Sequence, residues 1–172
     1  MVRADAWPLR SGHGIMSVKK VASFVSALVL MGQGVAAQCS QDIVDLRWDG
    51  GSVRFNVDIA DDDEERGRGL MFVESMGRFN GMLFIYDAPS TVAFWMKNTL
   101  IPLDMIFLDP RGVVQKVHEN AVPGSLETIP GGDNILAVLE VNGGLSSKLG
   151  LVEGAQMRHP AFQNNMPAWV CD

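Results

Sequence analysis

Between Phe94 and Asp104 the chain reads Phe-Trp-Met-Lys-Asn-Thr-Leu-Ile-Pro-Leu-Asp, a lysine, an amide, a hydroxyl and a carboxylate set inside an apolar run. An unpartnered polar group in a protein interior costs about 1–3 kcal/mol. A fold that buries this run must supply partners for Lys97, Asn98, Thr99 and Asp104, or open a cleft beside them.

Around that run the patterning is that of β-structure. Val53, Phe55, Val57 and Ile59 alternate with Arg54, Asn56 and Asp58, the period of a half-buried strand. Ile43–Trp48 precedes them across Asp49-Gly50-Gly51-Ser52, so the two segments predict a hairpin. Further strands are expected at 82–86, 91–99, 103–108, 113–117, 135–141 and 155–158, with a turn at Asp87-Ala88-Pro89-Ser90. Within 91–99 a strand would aim Val92, Phe94, Met96 and Asn98 one way and Ala93, Trp95, Lys97 and Thr99 the other. Residues 118–133 hold three glycines and two prolines and predict a long loop.

Helices are expected to be few and short. Asp61-Asp62-Asp63-Glu64-Glu65 supplies an N-cap and an acidic first turn for a helix from about Asp63 to Met71. That run lacks the central glycine and alternating ligands of a calcium loop. Gly67 and Gly69 weaken the helix and predict close packing of its backbone on a sheet. A second short helix is expected at 145–149. Met71, Met82, Met96 and Met105 read as irregular core filling rather than a cuprous site, and no cofactor or metal is expected.

The ends of the chain speak to compartment. Lys19-Lys20, the apolar run Val21–Gly32 and Val35-Ala36-Ala37 have the layout of a cleaved signal peptide, with Met16 as a possible true start. Residues 1–37 are thus expected to be an extension and leader, and 38–172 a single domain that is periplasmic or secreted, without stable membrane insertion after cleavage. The whole chain carries a formal charge of −6, and removing Arg3, Arg10, Lys19, Lys20 and Asp5 makes this −9. Such a balance argues against nucleic acid as a partner. The two cysteines, Cys39 and Cys171, are expected to form one bridge joining the ends of the mature chain, worth about 4–5 kcal/mol in the chain-entropy model.

The motifs Glu65-Arg66-x-x-Gly69-Leu70-Met71, Gly81-Met82-Leu83-Phe84, Phe94 to Thr99 with Pro102-Leu103-Asp104 and Phe107, and Leu139-Glu140-x-x-x-Gly144 resemble domain-of-unknown-function family 192. The resemblance covers about Val53 to Met157. It implies a mainly β fold, a compact twisted barrel or sandwich with one or two short helices, and it implies no established activity.

Two functional readings compete. In the first, Arg66, Trp95, Lys97, Asn98, Asp104 and Glu140 border a small cleft that holds a small polar or anionic ligand, in a non-catalytic binding or cell-envelope accessory domain. In the second, Asp104 and Glu140 form the carboxylate pair of a hydrolase acting on a carbohydrate or envelope substrate. The bland alternative is that these charges only pair with one another to fix helix against sheet. His118 and His159 read as solvated. For the cysteines, thiol titration of the unreduced, denatured mature protein is expected to find no free thiol; two would remove the bridge.

Overall fold

The computed structural model describes residues 39–171, so the expected signal segment lies outside the described residues. Seven strands form one sheet: β1 (Ile43–Trp48), β2 (Gly51–Ala60), β3 (Asn80–Phe94), β4 (Leu103–Leu108), β5 (Val114–Ala121), β6 (Ile129–Asn142) and β7 (Gln156–Arg158). Their spatial order is β5-β4-β6-β3-β2-β1-β7. Every pairing is antiparallel except that of β2 with β3, whose crossover carries helix α1 (Asp63–Arg68). The sheet curls into a half-barrel. At one end its edges meet, with Val113 bridged to Gln156 and the Val114 N–H donating to the Ala155 carbonyl at 2.8 Å.

The sheet carries an apolar core on each face, the outer one over only part of its width. The inner face gathers side chains from all seven strands, among them Leu46, Phe55, Leu83, Ile106, Leu139 and Met157, and is closed by helix α2 (Leu145–Leu149) and by Phe162 of a terminal 3-10 turn. A second core lies on the other face of β3, β4 and β6, where Phe84, Met105, Phe107, Ile135 and Val138 meet Leu70 and Met96 from the connecting segments. Phe94 joins it edge-on to Phe84 and Phe107, at 5.2 and 5.9 Å between ring centres. Alternation along β3 follows this division: Leu83 and Ile85 face inward, Met82, Phe84 and Tyr86 outward.

Several expectations need correction. Helix α1 stops at Arg68 rather than Met71, because Gly69 takes a left-handed φ of 48° and closes the last turn. A Cβ on Gly69 would lie 3.1 Å from the Phe84 ring, the close packing expected of it, whereas Gly67 faces open space. Asp87-Ala88-Pro89-Ser90 does not turn the chain back. Between Ile85 and Ser90 five steps on β3 answer two on β6, so the segment bulges out and the strand resumes.

The expected strand 91–99 ends at Phe94. Beyond it the Met96 N–H donates to the Ser125 carbonyl, Thr99 N–H to the Met96 carbonyl, and Asn98 sits at φ 56°, outside any strand geometry. Residues 118–133 are mostly strand instead: β5 runs to Ala121 and β6 begins at Ile129, leaving only 122–128 as loop. His159 is buried, not solvated, with Nε2 against the Gln41 carbonyl at 2.9 Å and Nδ1 accepting from Ala161 N–H.

The chain ends are tied as expected. Cys39 and Cys171 are bonded, with Cα atoms 5.5 Å apart. Trp169 packs against the guanidinium groups of Arg47 and Arg158, at 4.4 and 4.7 Å from its ring.

Asp104, on β4, is fully buried and serves this architecture. Its Oδ1 accepts from the N–H groups of Asn120 and Gly144 at 2.8 and 2.7 Å, and its Oδ2 from Ser146 N–H at 2.8 Å. One carboxylate thus joins the end of β5, the turn after β6 and the first turn of α2. Asp104→Ala would strand three backbone donors and is expected to cost about 3–5 kcal/mol in chemical denaturation. A loss under about 1 kcal/mol would mean that water replaces the carboxylate freely.

Candidate functional site

Where α1, β3, the end of β6 and the segment after Phe94 meet, the second core is interrupted by a cavity of about 180 Å3. Helix α1 reaches it because Asp62 caps the first turn, accepting from Glu65 N–H, while Glu65 reaches back to Asp61 N–H. Arg66 then fastens the helix to the sheet. Its Nη1 donates to the carbonyls of Asp61 and Ile85 at 2.6 and 2.7 Å, and its Nη2 to Asp63 at 2.7 Å. Strand β2 stops opposite Phe84, so the guanidinium takes up the sheet edge one residue beyond.

The floor of the cavity is Glu140. Its position on β6 pairs with Met82 of β3 on one side and Met105 of β4 on the other, all directed to the second core. Only 4% of the residue is exposed, and among the described residues nothing donates a hydrogen bond to its carboxyl group. Burial raises its pKa from 4.5 to about 8, so the group is largely an uncharged acid at neutral pH. Gly81 makes room for the strand at this point: a Cβ there would fall 2.4 Å from the Glu140 carbonyl oxygen.

Other polar side chains line the same cavity. Tyr86, one turn of the pleat beyond Phe84, lines the wall with its hydroxyl unbonded among the described residues. Its pKa is raised mainly by burial, opposed by Arg66 and reinforced by Glu140. Thr99 is buried in the lining. At the mouth, Lys97 Nζ lies 5.0 Å over the half-exposed Trp95 ring and has no carboxylate partner among the described residues.

Two non-glycine residues beside the mouth adopt left-handed backbone angles, Phe72 at φ 65° and Asn98 at φ 56°. The Phe72 N–H donates to the Asn98 carbonyl at 2.9 Å, so the two conformations hold each other. Such geometry costs about 1–3 kcal/mol at a bulky residue.

The structure therefore brings Arg66, Trp95, Lys97 and Glu140 to one cavity and leaves two of the expected residues outside it. Asn98 is exposed, its amide 3.8 Å from Met71 Sδ. Asp104 is the backbone cap described above. Register separates it from Glu140: Asp104 pairs with Val141, and Met105 with Glu140, so the two carboxylates leave opposite faces of the sheet. In the sequence Thr99 stands out as a polar residue of the central run but not as one of the cleft, and Tyr86 does not stand out at all. Tyr86 shares the outward alternation of Met82 and Phe84, a signal readable in sequence only once β3 is known to pair with β6. Among the described residues no three of His, Cys, Asp and Glu gather as metal ligands.

A family model described as "Uncharacterized ACR", domain of unknown function 192, matches residues 44–159. A crystal structure of a protein of unknown function from Novosphingobium aromaticivorans DSM 12444 is 37% identical with a TM-score of 0.66, over 67% of this chain and 82% of that one. A candidate transcription regulator from Sinorhizobium meliloti 1021 is 36% identical with a TM-score of 0.66, over 70% of this chain and 94% of that one. No curated protein matches the chain.

The buried acid makes stability depend on pH in a definite sense. A pKa raised from 4.5 to about 8 means that folding carries no penalty at this group below pH 4.5 and a growing one as pH rises toward 8. Glu140→Gln is neutral throughout, and its stability minus that of the native protein is expected to grow by roughly 3–5 kcal/mol from pH 4.5 to 8. His159, whose pKa burial lowers, acts with the opposite sign below pH 6.5 and cancels in this difference. Denaturant titrations of both proteins across that range check it; parallel curves would place the Glu140 carboxyl in contact with water.

Proposed function

The chain belongs to domain-of-unknown-function family 192, and from its Glu140 cavity we propose a non-catalytic binding module that holds a small anionic ligand. What carries this reading is a buried acid and a lysine lining one cavity, the acid without a hydrogen bond and the lysine without a carboxylate partner among the described residues. An uncharged carboxyl group can donate to an anion's oxygen, as can the Tyr86 hydroxyl, while the Thr99 hydroxyl donates to the Lys97 carbonyl at 3.5 Å and the Lys97 ammonium supplies the countercharge. Trp95 offers an apolar face at the entrance.

A carboxylate-pair hydrolase is less well supported, because Asp104 lies across the sheet from Glu140 with its oxygens occupied by backbone donors. Export to the periplasm or outside belongs to the same proposal. Its supports are the leader-like residues 16–37 and a disulfide, which persists in oxidising compartments.

Calorimetric titration with acetate, propionate and butyrate at pH 6.5 is expected to show saturable binding that Glu140→Leu abolishes and Lys97→Ala weakens at least about tenfold, the worth of one charge-assisted hydrogen bond. Raising the pH through about 8 ionises Glu140 against the anion, so affinity should fall, by about tenfold per unit above that point. Binding of neutral sugars in place of the carboxylates, or carboxylate affinity that climbs with pH, would refute the anion site.

A further inference from the structure

We propose that the ligand is an amphiphile: a medium-chain carboxylate whose head occupies the Glu140 cavity and whose hydrocarbon chain lies outside it, across the rings of Trp95 and Phe72. This rests on the anion site argued above and specifies what else the ligand must carry.

Size is the first reason. A cavity of about 180 Å3 is smaller than the roughly 300–1,000 Å3 of pockets that enclose a whole drug-sized ligand. It accommodates a head group and two or three carbons, so anything larger must continue past the mouth.

What lies at the mouth is the second reason. Trp95 lines the cavity and is 50% exposed, and Phe72, next to the lining residue Met71, is 66% exposed. The Phe72 to Asn98 hydrogen bond ties the segment carrying Phe72 to the one carrying Trp95 and Lys97. Two large rings are thus presented to water on linked segments, with Phe72 kept in a backbone conformation that a bulky side chain rarely adopts.

Chemistry selects the occupant. A polypeptide chain would bring backbone donors and acceptors across the rings, where the indole N–H is the only hydrogen-bonding group that they offer. Methylene groups need no such partner and gain from leaving water. The Lys97 ammonium above the Trp95 ring, both of them lining the cavity, matches a molecule that is anionic at one end and apolar along the rest.

A chain-length series tests this. With linear carboxylates from butyrate to octanoate at pH 6.5, below their micellar concentrations, calorimetry is expected to show Kd tightening two- to fourfold per methylene, the range of partial to full burial of each CH2. Phe72→Asn removes the ring while accepting the left-handed backbone, so it should keep the native melting temperature and butyrate affinity but lose tenfold or more of the octanoate-to-butyrate ratio. Equal affinity for butyrate and octanoate would overturn the amphiphile while leaving the anion site standing. No binding by any member would remove both. Tighter binding of an apolar peptide ending in a free carboxylate than of octanoate would overturn it in favour of a polypeptide partner.

Discussion

Strand β6 is buried on both of its faces, and most of what is distinctive about this protein follows from that constraint. From Ile135 to Val141 every residue is buried, because β3 and β4 flank the strand and a core packs on each of its faces. A glutamate at position 140 therefore cannot reach water by turning over. It can only be neutralised, paired or given a cavity, and in this fold it has a cavity and an elevated pKa but no partner among the described residues. Gly81 lets β3 pass within contact of the glutamate backbone, and Arg66 fastens α1 beside the cavity by bonds to main-chain carbonyls.

The two buried acids of β4 and β6 show how one residue of register decides a role. Asp104 and Glu140 are close in the sheet and both fall within the residues 44–159 that the family model matches. Facing the inner side, Asp104 meets a turn and the start of α2, whose free N–H groups saturate it. Facing the outer side, Glu140 meets Met82, Met105 and the cavity. Saturation makes the first a structural element. With no hydrogen-bond donor to its carboxyl group among the described residues, the second keeps unspent hydrogen-bonding capacity.

Long-range pairing also explains where the chain departed from its local signals. Asp87-Ala88-Pro89-Ser90 has the composition of a turn, yet β6 on the neighbouring edge continues past it and the strand is carried through as a bulge. The glycines and prolines of 118–133 likewise yielded to the extension of β5 and β6. In the opposite sense, the apolar run 91–99 looked like an uninterrupted strand, but bonds from Met96 and Thr99 to the 122–125 segment bend it away from the sheet after Phe94. That bend is what delivers Trp95 and Lys97 to the cavity mouth.

Alternation, turn composition and family motifs were sufficient, read along the chain alone, to determine the mainly β character, the first hairpin, the capped acidic helix, the bridge between Cys39 and Cys171 and the set of residues worth suspecting. These depend on neighbours within a few positions, or on there being only two cysteines to pair. Tertiary structure alone decided which suspected residues meet. Side-chain direction on a strand reverses with every residue, so whether Asp104 or Glu140 faces the cavity, and whether Tyr86 joins it, depended on which strands pair and in what register, information carried by contacts far apart in the sequence.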